Sequence, residues 1–273
     1  MNHIQIIIPS VDTTLNEILI AELSAIGFDG FEERENELLA FSEENNFSED
    51  ELQFLLNSRN LSYQKQVIVK QNWNQLWESN FDTVIVDDFV GIRADFHEPI
   101  NGVEHEIVIT PKMSFGTGHH ATTFMMIQLM RKIDFTAKNV FDFGTGTGIL
   151  SILAEKLGAA KIEAVDNDDW CIENASENII NNKCAHVEIA KADHPQSGKG
   201  FEIILANINK HIILENIKYI DQTTHADGNI LMSGLLLEDE ADIHAAVQSF
   251  GWRLISTIQK SGWIALHFIK ASV

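Results

Sequence analysis

The stretch FDFGTGTGIL, residues 141–150, constrains this chain more than any other. An apolar strand-like run meets three glycines at alternate positions, Gly144, Gly146 and Gly148, and an apolar helix-like run comes directly after. Glycines so spaced let the backbone turn tightly and approach a ligand without Cβ clashes. Strand, glycine bend and helix in that order predict the opening of a nucleotide-type α/β unit. The dinucleotide fingerprint G-x-G-x-x-G needs its third glycine at 149, where this chain has Ile149. The tighter G-x-G-x-G suits S-adenosylmethionine, whose amino-acid tail brings no pyrophosphate to cradle.

The residues beyond the bend support this reading. Apolar runs at 140–143, 162–165, 187–190, 203–206 and 230–232 alternate with helical periodicity near 148–157, 168–181, 209–219 and 238–248. Near-continuous apolar strands separated by helices predict a parallel sheet covered on both faces. Two further runs, 252–258 and 263–269, flank Lys260-Ser261-Gly262 and predict a closing antiparallel hairpin.

The first seventy residues read differently. A strand at 4–8 precedes a helix carrying Leu15, Ile18, Leu19, Leu23 and Ile26, capped by Asp12 or Thr13 and ended by Gly27. A hairpin at 28–34 and 38–41, a helix opened by Ser48 and a strand at 63–69 complete a βαββαβ order. This is the ferredoxin-like split, a fold that hosts many roles. Residues 71–80 predict a short linking helix whose Trp73 and Trp77 share a face and pin the two domains together. Strands at 89–96 and 106–110 then lead into the second domain.

Composition narrows the class. Forty acidic against 19 basic residues give a net charge of −21, a surface that repels phosphate backbones and attracts basic partners. No direct nucleic-acid binding is expected. The start MNHIQIIIPS lacks a basic leader, and no apolar run reaches spanning length, which points away from membranes and towards the cytoplasm. Cys171 and Cys184 fit neither a disulfide framework nor a metal knuckle, so free thiols are expected.

Candidate site residues come from the strand ends, because open α/β sheets bind ligands there. Asp166 ends the second strand of the sheet, where a carboxylate accepts hydrogen bonds from ribose hydroxyls or, alternatively, caps the following helix. Asp142 can face the cationic methionine amine of the cofactor. Asp193 either recognises the adenine amine or caps a turn before Pro195. Asn207 ends the fourth strand, where its neutral carbonyl can orient a target amine without holding it as ammonium, and it can also cap the next helix. In FGTGHHATT, 115–123, Thr122 or Thr123 offers a hydroxyl or an ordinary cap. His119 and His120 are adjacent, and no third ligand stands at a recognisable spacing, so no metal is expected.

FGTGHHATT, DFGTGTGIL, AVDND at 164–168 and LANI at 205–208, in this order, resemble the PrmA-type methyltransferases, as do WNQLWESNF at 73–81 and IRADFH at 92–97. That family methylates lysines and the N-terminal amine of a basic large-subunit ribosomal protein, the eleventh in standard order. The resemblance is strong over 71–240 and weak before it. It implies a Rossmann-like S-adenosylmethionine-dependent α/β domain at 96–273, a ferredoxin-like substrate-recognition domain at 1–70 and a linking helix and connector at 71–95. It further implies that Thr123, Gly144, Asp166 and Asn207 hold the cofactor and that S-adenosylhomocysteine is the product; a monomeric two-domain enzyme is expected. The chain departs from the family pattern at Thr145 and Thr147, where many members carry Cys or Ser. It departs again at Asn209, Lys210 and His211, where many carry small residues and proline. Three rivals stay open: a methyltransferase of another protein or a small molecule, a non-catalytic ribosome-binding module, and a nicotinamide oxidoreductase, against which Ile149 argues.

Overall fold

The structure, a computed structural model, describes residues 3–9, 13–34, 36–68, 81–112, 116–195 and 200–271. They form two compact units, Met1–Ser79 and Asn80–Val273. The expected linking helix with Trp73 and Trp77, and the cap at Asp12, lie outside the described residues.

In the N-terminal unit, β1 (His3–Pro9), α1 (Thr13–Ala25), β2 (Gly30–Arg34), β3 (Glu37–Glu43), α2 (Glu49–Asn57) and β4 (Gln64–Ile68) follow in the predicted order. The sheet runs β2-β3-β1-β4, with every neighbouring pair antiparallel. Alternation builds one face: Ile4, Ile6 and Ile8 of β1 point into a core with Leu38 and Ala40 of β3 and with Leu19, Leu23, Leu52 and Leu56 of the helices. Ser48 caps α2, its Oγ accepting from the Glu51 N–H at 3.4 Å.

The C-terminal unit opens with a small sheet, β5 (Val84–Val86), β6 (Val90–Ala94) and β7 (His105–Ile109). Two of these strands are expected from sequence; β5 is too short to show a period. Then come α3 (Ala121–Met130), β8 (Asn139–Phe143), α4 (Ile149–Lys156), β9 (Lys161–Asp166), α5 (Asp169–Asn181), β10 (Val187–Lys191), β11 (Phe201–Asn207) and α6 (Lys210–Thr223). β12 (Thr224–Leu236), α7 (Glu240–Val247), β13 (Trp252–Lys260) and β14 (Trp263–Lys270) complete it.

The main sheet has seven strands in the order β10-β9-β8-β11-β12-β14-β13. β8 to β12 are parallel, and β14 enters antiparallel between β12 and β13. Both faces are covered, which explains the continuous apolar runs. Val140, Ile162 and Leu205 face a core built with α3, α4 and α5; Phe141, Ile204 and Met232 face one built with α6 and α7. From β8 the chain steps outward to β9 and β10, then returns to β11 on the other side. That reversal is a topological switch point at the carboxyl ends of β8 and β11, the place where open α/β sheets bind ligands.

Candidate active site

At the end of β8 the chain bends at once. Gly144 has φ +76°, and a Cβ built on it would overlap Cγ2 of Ile208, so only glycine fits. The Gly144 and Thr145 N–H groups both donate to the Val165 carbonyl, at 2.9 and 3.0 Å, which fastens the turn to β9. Asp166 finishes the fastening. Its Oδ2 accepts from the Gly146 N–H at 2.9 Å and its Oδ1 from the Asp168 N–H at 3.1 Å. The helix cap is Asp168, whose side chain accepts from the Trp170 N–H at 2.9 Å. Asp166 therefore braces the glycine turn from the neighbouring strand.

Asp142 sits beneath this turn and is only 1% exposed. The hydroxyls of Thr145 and Ser151 each donate to its Oδ2 at 2.7 Å, while Oδ1 has no hydrogen-bond partner among the described residues. Burial pushes its carboxyl up to about 6; the two hydroxyls oppose that rise and the nearby Asp166 charge adds to it. A buried carboxylate oxygen without a donor is costly, and a cation that reached it would offset the cost.

The second half of the edge lies at the end of β11. Asn207 pairs with Ser233 of β12, and its Nδ2 donates to Thr123 Oγ1 at 3.3 Å. Its Oδ1 is buried without a hydrogen-bond partner among the described residues. Thr123 is fully buried in the first turn of α3. Neither residue is a cap. α3 is capped by His120, whose ring Nδ1 accepts from the Thr122 N–H at 3.3 Å, and α6 is capped at Asn209 without a side-chain bond.

The histidine pair diverges: His119 meets Phe81 edge-on at 4.8 Å, and His120 meets Trp263 edge-on at 4.8 Å. Among the described residues, no group of three or more His, Cys, Asp or Glu could hold a metal ion. The two halves of the site are tied through Thr147, whose Oγ1 donates to the Gly116 carbonyl at 2.6 Å while its own carbonyl accepts from Asn178 Nδ2 at 2.9 Å.

Gly144, Gly146, Gly148, Asp142 and Asp166 thus gather at the ends of β8 and β9, with Thr123 and Asn207 beside them at the end of β11. Asp193 is exposed after β10. The parts played by Thr145, Thr147, Ser151 and His120 are not marked by the sequence pattern. A cavity of about 320 Å³ lined by Lys138, Glu202, His225 and Asn229 opens at the opposite end of the sheet and holds none of these residues.

The sequence model of the family described as Ribosomal protein L11 methyltransferase (PrmA) matches residues 15–271. The chain belongs to this family. Among its relatives, the ribosomal protein L11 methyltransferase of Phocaeicola vulgatus is 35% identical over 264 residues, 94% of each chain. That of Porphyromonas gingivalis is 35% identical over 271 residues, 95% of this chain and 92% of its own. A crystal structure of a ribosomal protein L11 methylase from Lactobacillus delbrueckii subsp. bulgaricus superposes with a TM-score of 0.66 at 25% identity, covering 70% of this chain and all of the other. Membership in the ribosomal protein L11 methyltransferase family makes this an S-adenosylmethionine-dependent methyltransferase with a Rossmann-like sheet. No helix among the described residues is long and apolar enough to cross a membrane.

Proposed function

We propose that this enzyme transfers methyl groups from S-adenosylmethionine to lysine side chains and the N-terminal amine of ribosomal protein L11, as a cytoplasmic monomer. One observation carries the reading: a buried amide carbonyl on Asn207, without a partner among the described residues, stands one strand from a glycine turn braced by a carboxylate. The residues fit the cofactor. Gly144, Gly146 and Gly148 let the backbone approach it, Asp166 takes the ribose hydroxyls, and the unpartnered oxygen of Asp142 answers a cationic amine.

Bound there, S-adenosylmethionine supplies a methyl carbon on a cationic sulfur, open to in-line attack by an amine lone pair. The chain's part is alignment and the exclusion of water. Thr123 fixes the Asn207 amide by accepting from its Nδ2, which aims Oδ1 at the incoming N–H. Because Asn207 is neutral, it orients the amine without stabilising the unreactive ammonium.

We assign recognition of the substrate protein to residues 1–70, the connector to 71–95 and the chemistry to 96–273. Charge supports this division: the first 79 residues carry fourteen acidic and four basic side chains, a far denser negative charge than the remainder. A basic partner is steered to such a surface, increasingly so at low salt. The test is incubation of the enzyme with labelled cofactor and purified L11, followed by mass spectrometry of the product. Label on lysines and the N-terminus, lost in Asn207→Ala, is the expected result; unlabelled L11 refutes the reading.

A further inference from the structure

Past Asn207 the carboxyl edge of the sheet continues into the end of β12. Leu235 is buried, but Leu236 and Leu237 turn outward and are 39% and 49% exposed. Full burial of a leucine is worth about 1.5–3 kcal/mol, so two adjacent ones left in water ask for a reason. They are not left out by slack in the chain. The Leu236 N–H donates to Asp239 Oδ2 at 2.8 Å, and the Leu237 N–H donates to the Gly262 carbonyl at 3.2 Å. Asp239, itself 7% exposed, also holds Lys210 Nζ at 2.7 Å, and Asp242 holds the same ammonium at 3.1 Å.

Lys210 is the first residue of α6, where a cation opposes the helix macrodipole. It is kept there by two carboxylates, and together they clasp the leucine segment to the start of the helix that follows Asn207. The leucines are therefore fixed and face outward. Their frame is acidic: exposed Glu238 adjoins them, and Glu240 and Asp242 come next. Ser233, three residues upstream of Leu236, is the β12 residue opposite Asn207.

We propose that Leu236 and Leu237, framed by Glu238 and the Lys210–Asp239–Asp242 clasp, seat the segment of the basic substrate protein that adjoins the amine being methylated. This rests on the reading of Asn207 as the residue that receives that amine. The occupant carries an apolar side chain close to a lysine: the apolar group covers the leucines, and the positive charge faces Glu238. Fixed apolar anchors inside a polar rim are the usual construction of an interface centre. The net charge of −21 favours a cationic occupant over a second copy of this equally acidic chain.

The experiment is steady-state methylation of L11 by the full-length double variant L236S/L237S. KM for L11 rises about tenfold while kcat stays within twofold, S-adenosylhomocysteine affinity by calorimetry is unchanged, and the melting temperature holds because both side chains are exposed. Glu238→Lys raises KM several-fold at low salt, and the effect shrinks as salt is added. An active wild type whose double variant keeps its KM overturns this seat alone. A wild type that leaves L11 unlabelled overturns the functional reading and the seat with it. A wild-type dimer that the double variant abolishes reassigns the leucines to self-association and overturns the proposal.

Discussion

Among the described residues, the two halves of the sheet's carboxyl edge each keep a buried oxygen without a donor, and the two oxygens differ in charge. On the β8–β9 side it belongs to the carboxylate of Asp142; on the β11–β12 side it belongs to the neutral amide of Asn207. On the function proposed above, the difference matches the two amines that methyl transfer brings together. The cofactor's amine stays protonated throughout, and a buried anion suits it. The acceptor's amine must be neutral to react, and a nearby anion would raise its pKa and keep it charged. On that proposal, a single edge answers opposite electrostatic demands on adjacent strands, with an Asp on one and an Asn on its neighbour.

Moving the charge is the severest way to break this contrast. Asn207→Asp places an anion on the acceptor side, and we expect kcat/KM for L11 to fall about a hundredfold or more at neutral pH. S-adenosylhomocysteine affinity should change far less. Equal losses in both would merge the two halves into one binding site.

Asp166→Ala removes the brace of the glycine turn and, on the proposed reading, the acceptor for the ribose. Cofactor binding should weaken by roughly 2 kcal/mol, about thirtyfold, in calorimetry. Unchanged affinity would detach the β9 side from the cofactor altogether.

Asp142 gives a pH signature. Its folded carboxyl titrates at about 6, above its ordinary value of 3.8, so the fold favours the protonated form. The ionised group costs stability at neutral pH, and stability rises as pH falls from about 6 towards 4. Asp142→Asn should therefore stabilise the cofactor-free enzyme at pH 7 by on the order of 2 kcal/mol, an advantage that fades near pH 4. Melting curves across that window decide it, and a pH-independent difference would refute the buried charge. The smallest effect is expected for Thr147→Val, which unpairs the Gly116 carbonyl and should cost about 1 kcal/mol of stability in denaturant unfolding.

Much of this edge is legible in the amino-acid order itself, because its geometry demands particular residue types. A turn at positive φ pressed against Ile208 calls for glycine, and strands covered on both faces must be apolar throughout. The roles of Thr145, Thr147 and Ser151 are not legible, since a hydroxyl's partner is chosen by tertiary contact: Thr147 finds Gly116 across 31 residues. Capping by His120 is hidden for a related reason, as threonines beside it are the better capping residues by type. β12 is longer than its apolar run: it spans Thr224 to Leu236, but His225 to Gly228, which has the composition of a turn, bulges out of the ladder between Thr224 and Asn229 with Asp227 at φ +62°. The N-terminal unit offers the reverse lesson: all six of its elements emerge from periodicity, while nothing in that periodicity says what the unit holds.

The place of β14 also governs how the protein is assembled. β13 precedes β14 along the chain, yet its only route into the main sheet passes through β14, which lies between it and β12. A nascent polypeptide that has reached residue 260 therefore carries a β12 flank without its neighbour and a β13 with nowhere to attach. Both find their partner in β14, which pairs with β12 on one side and, across the turn at Ser261 and Gly262, with β13 on the other. The β12–β14–β13 flank is thus completed only by residues beyond 260, whereas the glycine turn is built from the segment between β8 and α4.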